Sequence, residues 1–334
     1  MKFTIEQLLD QKNLTQEEAR DVMLKIMSGE YDDVQIAGFL IALRCKGETS
    51  TEIAGFAQAM RDKMTKIECV DNAIDMCGTG GDASGTFNIS TAATFVVAGA
   101  GVPVAKHGNR SMTSKSGSAD VLTALGVDIT LPPERVSQCI EKIGIGFMFA
   151  PSLHPAMKYA MGARKSLGTR TVFNILGPLC NPAGVKRQLM GIFDGSLTEK
   201  VAQVLQKLGS THAMIVHGDD GLDEISTTAS TKASHLKNDG NIDTISISAA
   251  DLGFEVATLD DLKGGMPDEN AEIVTNILDG SDAGKKSDIV ILNAAAGIVV
   301  GGKADSIEEG ISIARDVISS GAAMNILREL VAIK

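Results

Sequence analysis

The first 66 residues alternate hydrophobic and polar positions in the pattern of amphipathic helices. Two capping boxes, which satisfy the free amides at a helix start, are formed by Thr15 with Glu18 and by Thr49 with Glu52. The segment 34–43 is apolar on nearly every face, as is typical of a helix buried in a bundle or in a subunit interface. Residues 1–66 are therefore predicted to form a helical domain.

Beyond residue 66 the pattern changes to short apolar runs followed by glycines and helical stretches, as in parallel strands joined by crossover helices. The predicted strands are 73–76, 102–106, 146–149, 213–216, 244–247 and 288–292. The segment 154–176 is mostly helical in pattern and longer than an ordinary crossover. The pattern thus predicts an α/β protein with a mainly parallel central sheet. The protein is predicted to consist of two domains. Residues 1–66, joined by about 151–180, form a small helical domain, and residues 67–150 and 181–334 form a larger α/β domain.

Composition narrows the class of protein. Hydrophobic residues make up 44% of the chain and charged residues 22%, which is typical of a globular fold. The five cysteines are odd in number and form no CxxC pair, so neither a disulfide framework nor a zinc knuckle is indicated. The opening residues carry charges where a secretory signal needs an apolar run, and no apolar run reaches the roughly 18 residues of a membrane helix. A cytoplasmic protein without membrane contact is expected.

The distribution of charge separates one segment from the rest. The formal net charge is −11, which disfavours binding to nucleic acid and to anionic membranes. Between Met76 and Ala119, however, three basic residues accompany a single acid, Asp82. A phosphorylated ligand would therefore be bound by local rather than global charge.

A glycine-rich segment, 78–86, follows the first predicted strand, and we call it the glycine loop. Glycines let the main chain approach a phosphate closely, and the apolar helix that begins near Asn88 adds free N–H groups. The Walker A pattern GxxxxGK[ST] is absent. The permissive dinucleotide fingerprint GxGxxA is matched, but the acid expected about 20 residues later is missing from 98–102. On its own the cluster is as consistent with a tight turn as with a phosphate site.

Two further segments follow predicted strands and carry suitable polar groups. Residues 106–118, the clamp loop, are rich in hydrogen-bond donors and contain no acid, as in an anion-binding loop or a solvated polar loop. Asp223 and Glu224 follow the strand 213–216, as in a magnesium site or a solvated turn. Loops at the carboxyl ends of parallel strands lie side by side, so all three segments are predicted to face one crevice.

Together these segments resemble the anthranilate phosphoribosyltransferase family. Two more segments agree with it: the residues Phe149-Ala150-Pro151 leading to His154-Pro155-Ala156-Met157, and Arg164 leading into 170–178, which read RTVFNILGP. The resemblance covers the chain from its N-terminal helices to its C-terminal segment. It implies transfer of phosphoribose from phosphoribosyl pyrophosphate to anthranilate, with release of pyrophosphate, in tryptophan biosynthesis. It also implies a magnesium cofactor and a homodimer formed through the helical domain.

The resemblance also assigns the site residues. The phosphoribosyl pyrophosphate site would consist of Gly78, Gly81, Asp82, Thr86, Asn88, Ile89, Ser90, Thr91, Lys106 and Ser118. Anthranilate would be bound by Gly78, His107, Asn109 and Arg164, and magnesium by Ser90, Asp223 and Glu224. No nucleophilic side chain and no cysteine is required for the reaction.

Two other functions agree less well with the sequence. A pyrimidine nucleoside phosphorylase has a related fold, but that class typically carries a KHGGRGLGHTGG-like pattern where this chain has its clamp loop. A non-catalytic relative that binds nucleic acid would need a basic surface, which the net charge of −11 and the pair Asp223 and Glu224 oppose.

Overall fold

A computed structural model describes residues 1–81, 84–111 and 115–333, which form a seven-stranded sheet, helices that cover it, and a further group of helices at the N-terminus. The first helices are α1 (Lys2–Leu9), α2 (Gln16–Met27), α3 (Asp33–Lys46), α4 (Ser50–Lys63), α5 (Ile89–Gly99), α6 (Ser118–Ala124), α7 (Pro133–Lys142) and α8 (Ala150–Leu153). Those that follow are α9 (Lys158–Leu167), α10 (Phe173–Leu176), α11 (Thr198–Lys207), α12 (Pro267–Leu278), α13 (Lys285–Val300), α14 (Ile307–Ser319) and α15 (Ala322–Ala332). The strands are β1 (Ile74–Gly78), β2 (Val104–Gly108), β3 (Ile145–Phe149), β4 (Arg187–Gly191), β5 (His212–Gly218), β6 (Thr231–Leu236) and β7 (Ile242–Ile247).

The strand order is β3-β2-β1-β4-β5-β6-β7. The first five strands along the chain pair in parallel, and β6 and β7 add antiparallel pairs at one edge. From β1 the chain moves outward to β2 and β3, and it then returns to place β4 on the other side of β1. This reversal creates a crevice beyond the carboxyl ends of β1 and β4, where open α/β sheets bind their ligands. The predicted fold class is confirmed.

Three predicted features of the sheet were wrong. Strands β4 and β6 were not predicted, because the run Arg187 to Gly191 is short and partly polar, and β6 alternates apolar and polar residues. The predicted strand 288–292 lies instead within α13, of whose 16 residues 13 are buried. A continuous apolar run cannot distinguish a buried strand from a helix that is buried all round.

The N-terminal helices begin where the capping boxes predict. Thr15 accepts a hydrogen bond from the backbone of Glu18 and Thr49 accepts one from Glu52, at the starts of α2 and α4. Helix α9 packs against α2 and α3, and its buried alanines, Ala160 and Ala163, share a hydrophobic cluster with them. The same cluster continues through α11 to one face of β4 and β5. The division of the chain into a discontinuous helical domain and an α/β domain remains a prediction.

Helix α3 is buried on one side only. Ile36, Phe39 and Leu43 face the core, whereas Val34 is 82% exposed and Ile41 37% exposed. The apolar character of this helix is thus only partly explained by burial within one copy of the chain. In the described ranges, none of the helices has the length and apolar character needed to cross a membrane.

Candidate active site

The glycine loop begins at the carboxyl end of β1, inside the crevice. Gly80 and Gly81 have φ angles of 66° and 78°, in the left-handed region that favours glycine. The loop is anchored to the neighbouring strand end, because Thr79 donates its backbone N–H to the carbonyl of Gly191 and its hydroxyl accepts from the N–H of Phe193. The start of the glycine loop is thereby fixed to the ends of β1 and β4.

The predicted carboxylate pair lies directly against this loop. Asp223 accepts a hydrogen bond from the N–H of Gly80 at 2.7 Å, and Glu224 accepts one from the N–H of Ser90 in the first turn of α5 at 3.1 Å. A methyl group added at Gly78 would lie 2.4 Å from the Asp223 carboxylate, so glycine at this position leaves the space that the carboxylate occupies. The structure therefore brings together the three residues that the resemblance assigns to magnesium.

These residues have the donor chemistry that magnesium requires. The ion binds through a few protein oxygens and keeps water and phosphate oxygens in its remaining positions. Two carboxylates and a serine hydroxyl beside the glycine loop meet that need. A cage built from protein side chains alone is not found, since among the described residues no three His, Cys, Asp or Glu side chains are grouped as metal ligands.

The clamp loop extends beyond β2 and contacts Asn88, the residue that precedes α5. The side-chain amide of Asn88 donates to the carbonyl of Ser116 at 3.2 Å, and the hydroxyl of Ser116 donates back to Asn88 at 3.1 Å. Asp120, at the start of α6, accepts from the backbone N–H groups of Ser111 and Gly117 and closes the loop on itself. The clamp loop is thus joined to the N-terminus of α5, two residues after the glycine loop, and the shared crevice remains a prediction.

Lys106, which was assigned to the phosphoribosyl donor, is buried within the sheet. Its ammonium group donates to the carbonyl of Met76 in β1 at 2.7 Å. Burial lowers the pKa of Lys106, and the carboxylates of Asp75 and Glu224 oppose this effect. The lysine thus supports the ends of β1 and β2 and adds positive charge beneath the glycine loop.

Asp75, a residue that the sequence did not single out, underlies the same strand ends. It is fully buried and accepts from the backbone N–H of His107 at 3.2 Å and from the side chain of Asn181 at 2.8 Å. Burial raises the pKa of Asp75 to about 6, although these donors and Lys106 favour its charged form. A buried carboxylate is tolerated here because hydrogen bonds replace its lost hydration.

Two buried histidines, one near the end of β2 and one directly after α8, lie close together. The rings of His107 and His154 are 5.1 Å apart, and the Nε2 atoms of both are buried without a hydrogen-bond partner in the described part of the chain. Burial lowers the pKa of His107 to about 3 and that of His154 to about 4. A neutral imidazole ring has one nitrogen that donates and one that accepts, so each Nε2 atom can still form a hydrogen bond. Two buried polar atoms without a partner indicate a place for a polar ligand.

A His107→Gln variant is expected to weaken the pH dependence of stability by about 2 kcal/mol between pH 7 and pH 5. In the folded protein His107 stays neutral over this range, whereas in the unfolded chain its pKa is about 6.5, so the unfolded state binds the extra proton. Stability supplied by the neutral ring is present above pH 6.5 and is lost as the pH falls. Urea unfolding of both proteins at several pH values would measure the difference. Parallel curves would contradict the buried, neutral state of this ring.

Other assigned residues have distinct surroundings. Asn109 closes the base of the clamp loop, since its carbonyl accepts from Ala119 and from the hydroxyl of Ser118. Arg164 lies in the last turn of α9 with its guanidinium group 5.2 Å from the ring of Phe173, and burial lowers its pKa. Its contact with a ligand remains a prediction.

The remaining donor-site residues surround the start of α5. Thr86 forms an isolated bridge with Lys263, and the side chains of Ile89 and Thr91 are buried. Gly81 offers its carbonyl to Arg170, whose guanidinium group stacks 4.1 Å from the ring of Phe193. Asp82 lies outside the described residues.

Comparison with known proteins places this fold and site in one class. Residues 3–64 match the model of the glycosyl transferase family, helical bundle domain, and residues 70–324 match that of the glycosyl transferase family, a/b domain. The chain is therefore a glycosyl transferase that consists of a helical bundle domain and an a/b domain. The glycine-rich loop and the acidic residues lie in the a/b domain.

Individual relatives narrow the class. The anthranilate phosphoribosyltransferase of Acetivibrio thermocellus is 53% identical over 99% of this chain and 96% of its own length. This chain therefore belongs to the anthranilate phosphoribosyltransferase family, and the resemblance stated from its motifs is confirmed.

Solved structures agree. The crystal structure of the Thermus thermophilus anthranilate phosphoribosyltransferase matches with a TM-score of 0.93 and 41% identity, over 98% of both chains. The Saccharomyces cerevisiae enzyme, solved in complex with PRPP and Mg, matches with a TM-score of 0.89 and 29% identity, over 98% of this chain and 95% of that one.

Proposed function

We propose that this chain transfers the phosphoribosyl group of phosphoribosyl pyrophosphate to the amino group of anthranilate, as a step of tryptophan biosynthesis. The observation that carries the proposal is the meeting of four groups at one crevice: the glycine loop, the start of α5, the clamp loop, and Asp223 with Glu224. The first three supply backbone amides and hydroxyls for phosphate oxygens. The carboxylates supply the negative charge that would bind the magnesium ion of a magnesium–pyrophosphate complex.

Magnesium would be held by Ser90, Asp223 and Glu224 together with oxygens of the donor. When bound, it offsets the negative charge of the pyrophosphate group. Backbone N–H groups of the glycine loop and of the first turn of α5, other than those of Gly80 and Ser90 that bond the carboxylates, would act on the same charge from the protein side. Preorganised donors of this kind each contribute about 3–4 kcal/mol to stabilising a transition state.

Anthranilate is assigned to the side of the crevice that holds the histidines. The unsatisfied Nε2 atom of His107 can accept a hydrogen bond from the aromatic amine. Arg164 carries a fork of donors suited to the anthranilate carboxylate, which would direct the amine toward the donor. Any side chain at Gly78 would meet Asp223. Glycine at this position would therefore leave the backbone open to both substrates.

The reaction requires no covalent intermediate with the protein. The bond from the anomeric carbon to pyrophosphate breaks, the amine nitrogen forms the new bond to that carbon, and the nitrogen then loses a proton. An aromatic amine is nucleophilic while neutral, so positioning of the two substrates supplies the main contribution to the rate of the reaction. Cys77, the cysteine beside the glycine loop, is unsuited to attack, because burial raises the pKa of its thiol well above the usual range. Mass spectrometry that detected a ribosylated protein would contradict this scheme.

The decisive experiment is a fluorescence assay with the purified chain. Anthranilate fluorescence is expected to fall only when phosphoribosyl pyrophosphate and magnesium are both present. Omitting each in turn provides the controls. A parallel assay with a pyrimidine nucleoside and inorganic phosphate should show no cleavage. Absence of anthranilate turnover would refute the proposed function, and nucleoside cleavage would favour a phosphorylase.

A homodimer through the helical part is a further component of the proposal. The exposed faces of α1, α3 and α9 carry Phe3, Val34, Ile41 and Met161, which are 77%, 82%, 37% and 41% exposed respectively. Clusters of exposed apolar side chains mark protein interfaces. A second copy that covers these helices in a closed two-fold dimer would bury these four side chains.

A cytoplasmic location, which the sequence predicts, would suit both substrates.

A Val34→Glu, Ile41→Glu double variant is expected to be monomeric where the unmodified chain is dimeric. Two charges about two turns apart on α3 would have to be buried in the interface, at a cost that a surface contact cannot offset. Size-exclusion chromatography with light scattering measures the mass directly. Val256→Glu is the control, because Val256 is 65% exposed and lies outside the helical part. If both variants remain dimers, the interface lies elsewhere.

A further inference from the structure

Asn270 is a buried polar residue of α12 that has no assigned role. It is 1% exposed, and a buried side-chain amide must find hydrogen-bond partners. Its Oδ1 atom accepts from the backbone N–H of Gly265 at 2.7 Å, and its Nδ2 atom donates to Oδ1 of Asn88 at 3.0 Å. One end of this amide is thus fixed to the main chain and the other to a residue of the donor site.

The orientation of both asparagine amides follows from the backbone groups at the two ends. A backbone N–H only donates, so Asn270 must turn Oδ1 toward Gly265 and Nδ2 toward Asn88. Asn88 must then meet that donor with its own Oδ1, which leaves its Nδ2 for the carbonyl of Ser116, a group that only accepts. The hydrogen bonds form one directed chain from Gly265 to Ser116.

This chain connects elements that are remote in sequence. Ser116 belongs to the clamp loop, and Asn88 marks the end of the glycine loop and the start of α5. The segment before α12 also packs on the glycine loop, since Gly264 donates to the carbonyl of Gly85 at 2.9 Å. A methyl group on Gly264 would come within 2.6 Å of the backbone of Phe87. Asn270 therefore stands at the point where both loops are joined to the body of the α/β fold.

We propose that Asn270 is a positioning residue that holds Asn88 in the rotamer needed for binding the phosphoribosyl donor and sets the separation of the glycine and clamp loops. It acts through Asn88, because its own side chain is enclosed. The identity of the ligand rests on the proposed function, whereas the connection between the loops does not.

An Asn270→Asp variant tests the kinetic consequence. The carboxylate keeps an acceptor for Gly265 but faces Oδ1 of Asn88 with a second acceptor, so the Asn88 amide must turn and release Ser116. The KM for phosphoribosyl pyrophosphate is expected to rise about tenfold, as for the loss of one hydrogen bond, while the KM for anthranilate changes less than twofold. Asn325→Asp makes the same chemical change at an exposed position beside Arg328 and should leave both constants unchanged. A loss of kcat with unchanged KM for the donor would overturn the proposal.

Hydrogen exchange separates the positioning role from the proposed function. In ligand-free Asn270→Asp, the hydrogen-bonded amides of Ser111, Gly117 and Ala119 are expected to exchange at least about fivefold faster than in the unmodified chain, while those of α13 keep their rates. Asn270→Ser, which adds no charge but is too short to reach Asn88, should have the same effect if Asn270→Asp folds poorly. Unchanged exchange of these three amides in both variants would overturn the proposal even if the enzyme is active. Faster exchange in a chain that fails to convert anthranilate would leave the positioning role intact and refute only the reaction.

Discussion

An Asp223→Asn, Glu224→Gln double variant is expected to lose at least about a thousandfold in kcat while remaining folded. The two changes remove the negative charges proposed to hold magnesium, and a thousandfold loss corresponds to about 4 kcal/mol of transition-state stabilisation. The fold should survive, because the amide oxygens of Asn and Gln can still accept the hydrogen bonds from Gly80 and Ser90. Initial rates of anthranilate consumption across a magnesium titration measure the loss, and thermal unfolding reports on the fold.

The control for this variant is a second pair of charge removals. Asp219→Asn with Glu199→Gln changes the net charge by the same amount at two exposed positions. Its activity and magnesium dependence should match those of the unmodified chain. If the Asp223 and Glu224 variant kept the same magnesium dependence as this control, the metal assignment would be wrong.

A Gly191→Ala variant is expected to be destabilised by about 3 kcal/mol and to lose its activity. A methyl group at Gly191 would lie 1.5 Å from the backbone carbonyl oxygen of Asp223, so β4 and the loop after β5 must separate. Overpacking against atoms that cannot rotate away reaches this upper end of the usual range. Because the loop carries the carboxylates, the displacement also removes them from the glycine loop. Urea unfolding with an unchanged slope would give the stability difference directly.

Gly78→Ala provides a matched comparison, because it directs the same methyl group at the same residue. The nearest atom is now the Asp223 carboxylate, 2.4 Å away, which can rotate aside. The stability of this variant should fall by no more than about 1 kcal/mol, while kcat drops because the carboxylate has moved. Equal destabilisation by both substitutions would show that the packing at Gly191 is looser than the geometry indicates.

The features that the sequence predicted correctly depend on neighbours along the chain. A capping box such as Thr15 with Glu18 is a contact within one turn, and the strand before the glycine loop is a run of apolar residues followed by glycine. The meeting of the glycine and clamp loops was also predictable, because parallel strands end at the same edge of a sheet. The missed strand β4 is different. Its Gln188 is acceptable in a buried strand only because it donates to the carbonyl of Pro178 and to the thiol of Cys77.

The parts of the site that were not predicted depend on distant partners. A lone aspartate such as Asp75 carries no sequence signal until Asn181 and the N–H of His107 are placed beside it. Asn270 is likewise an ordinary helix residue until its contact with Asn88 is known. His154 lies in a segment that resembles the family, yet its proximity to His107 emerges only from the fold. Such residues are set by tertiary packing, which a single sequence does not report.

The central position of β1 also has a consequence for how the chain folds. On one side β1 pairs with β2, whereas on the other Ile74 pairs with Arg187, on a strand that the chain reaches only after completing β3 and the helices α8 to α10. Bringing β1 and β4 together costs the entropy of closing a long loop before any contact between the two strands offsets that cost. Proteins dominated by such non-local pairs fold slowly. We therefore expect the crevice beyond the ends of β1 and β4 to form only after these distant segments have paired, so a ligand bound there would select molecules in which that pairing is complete.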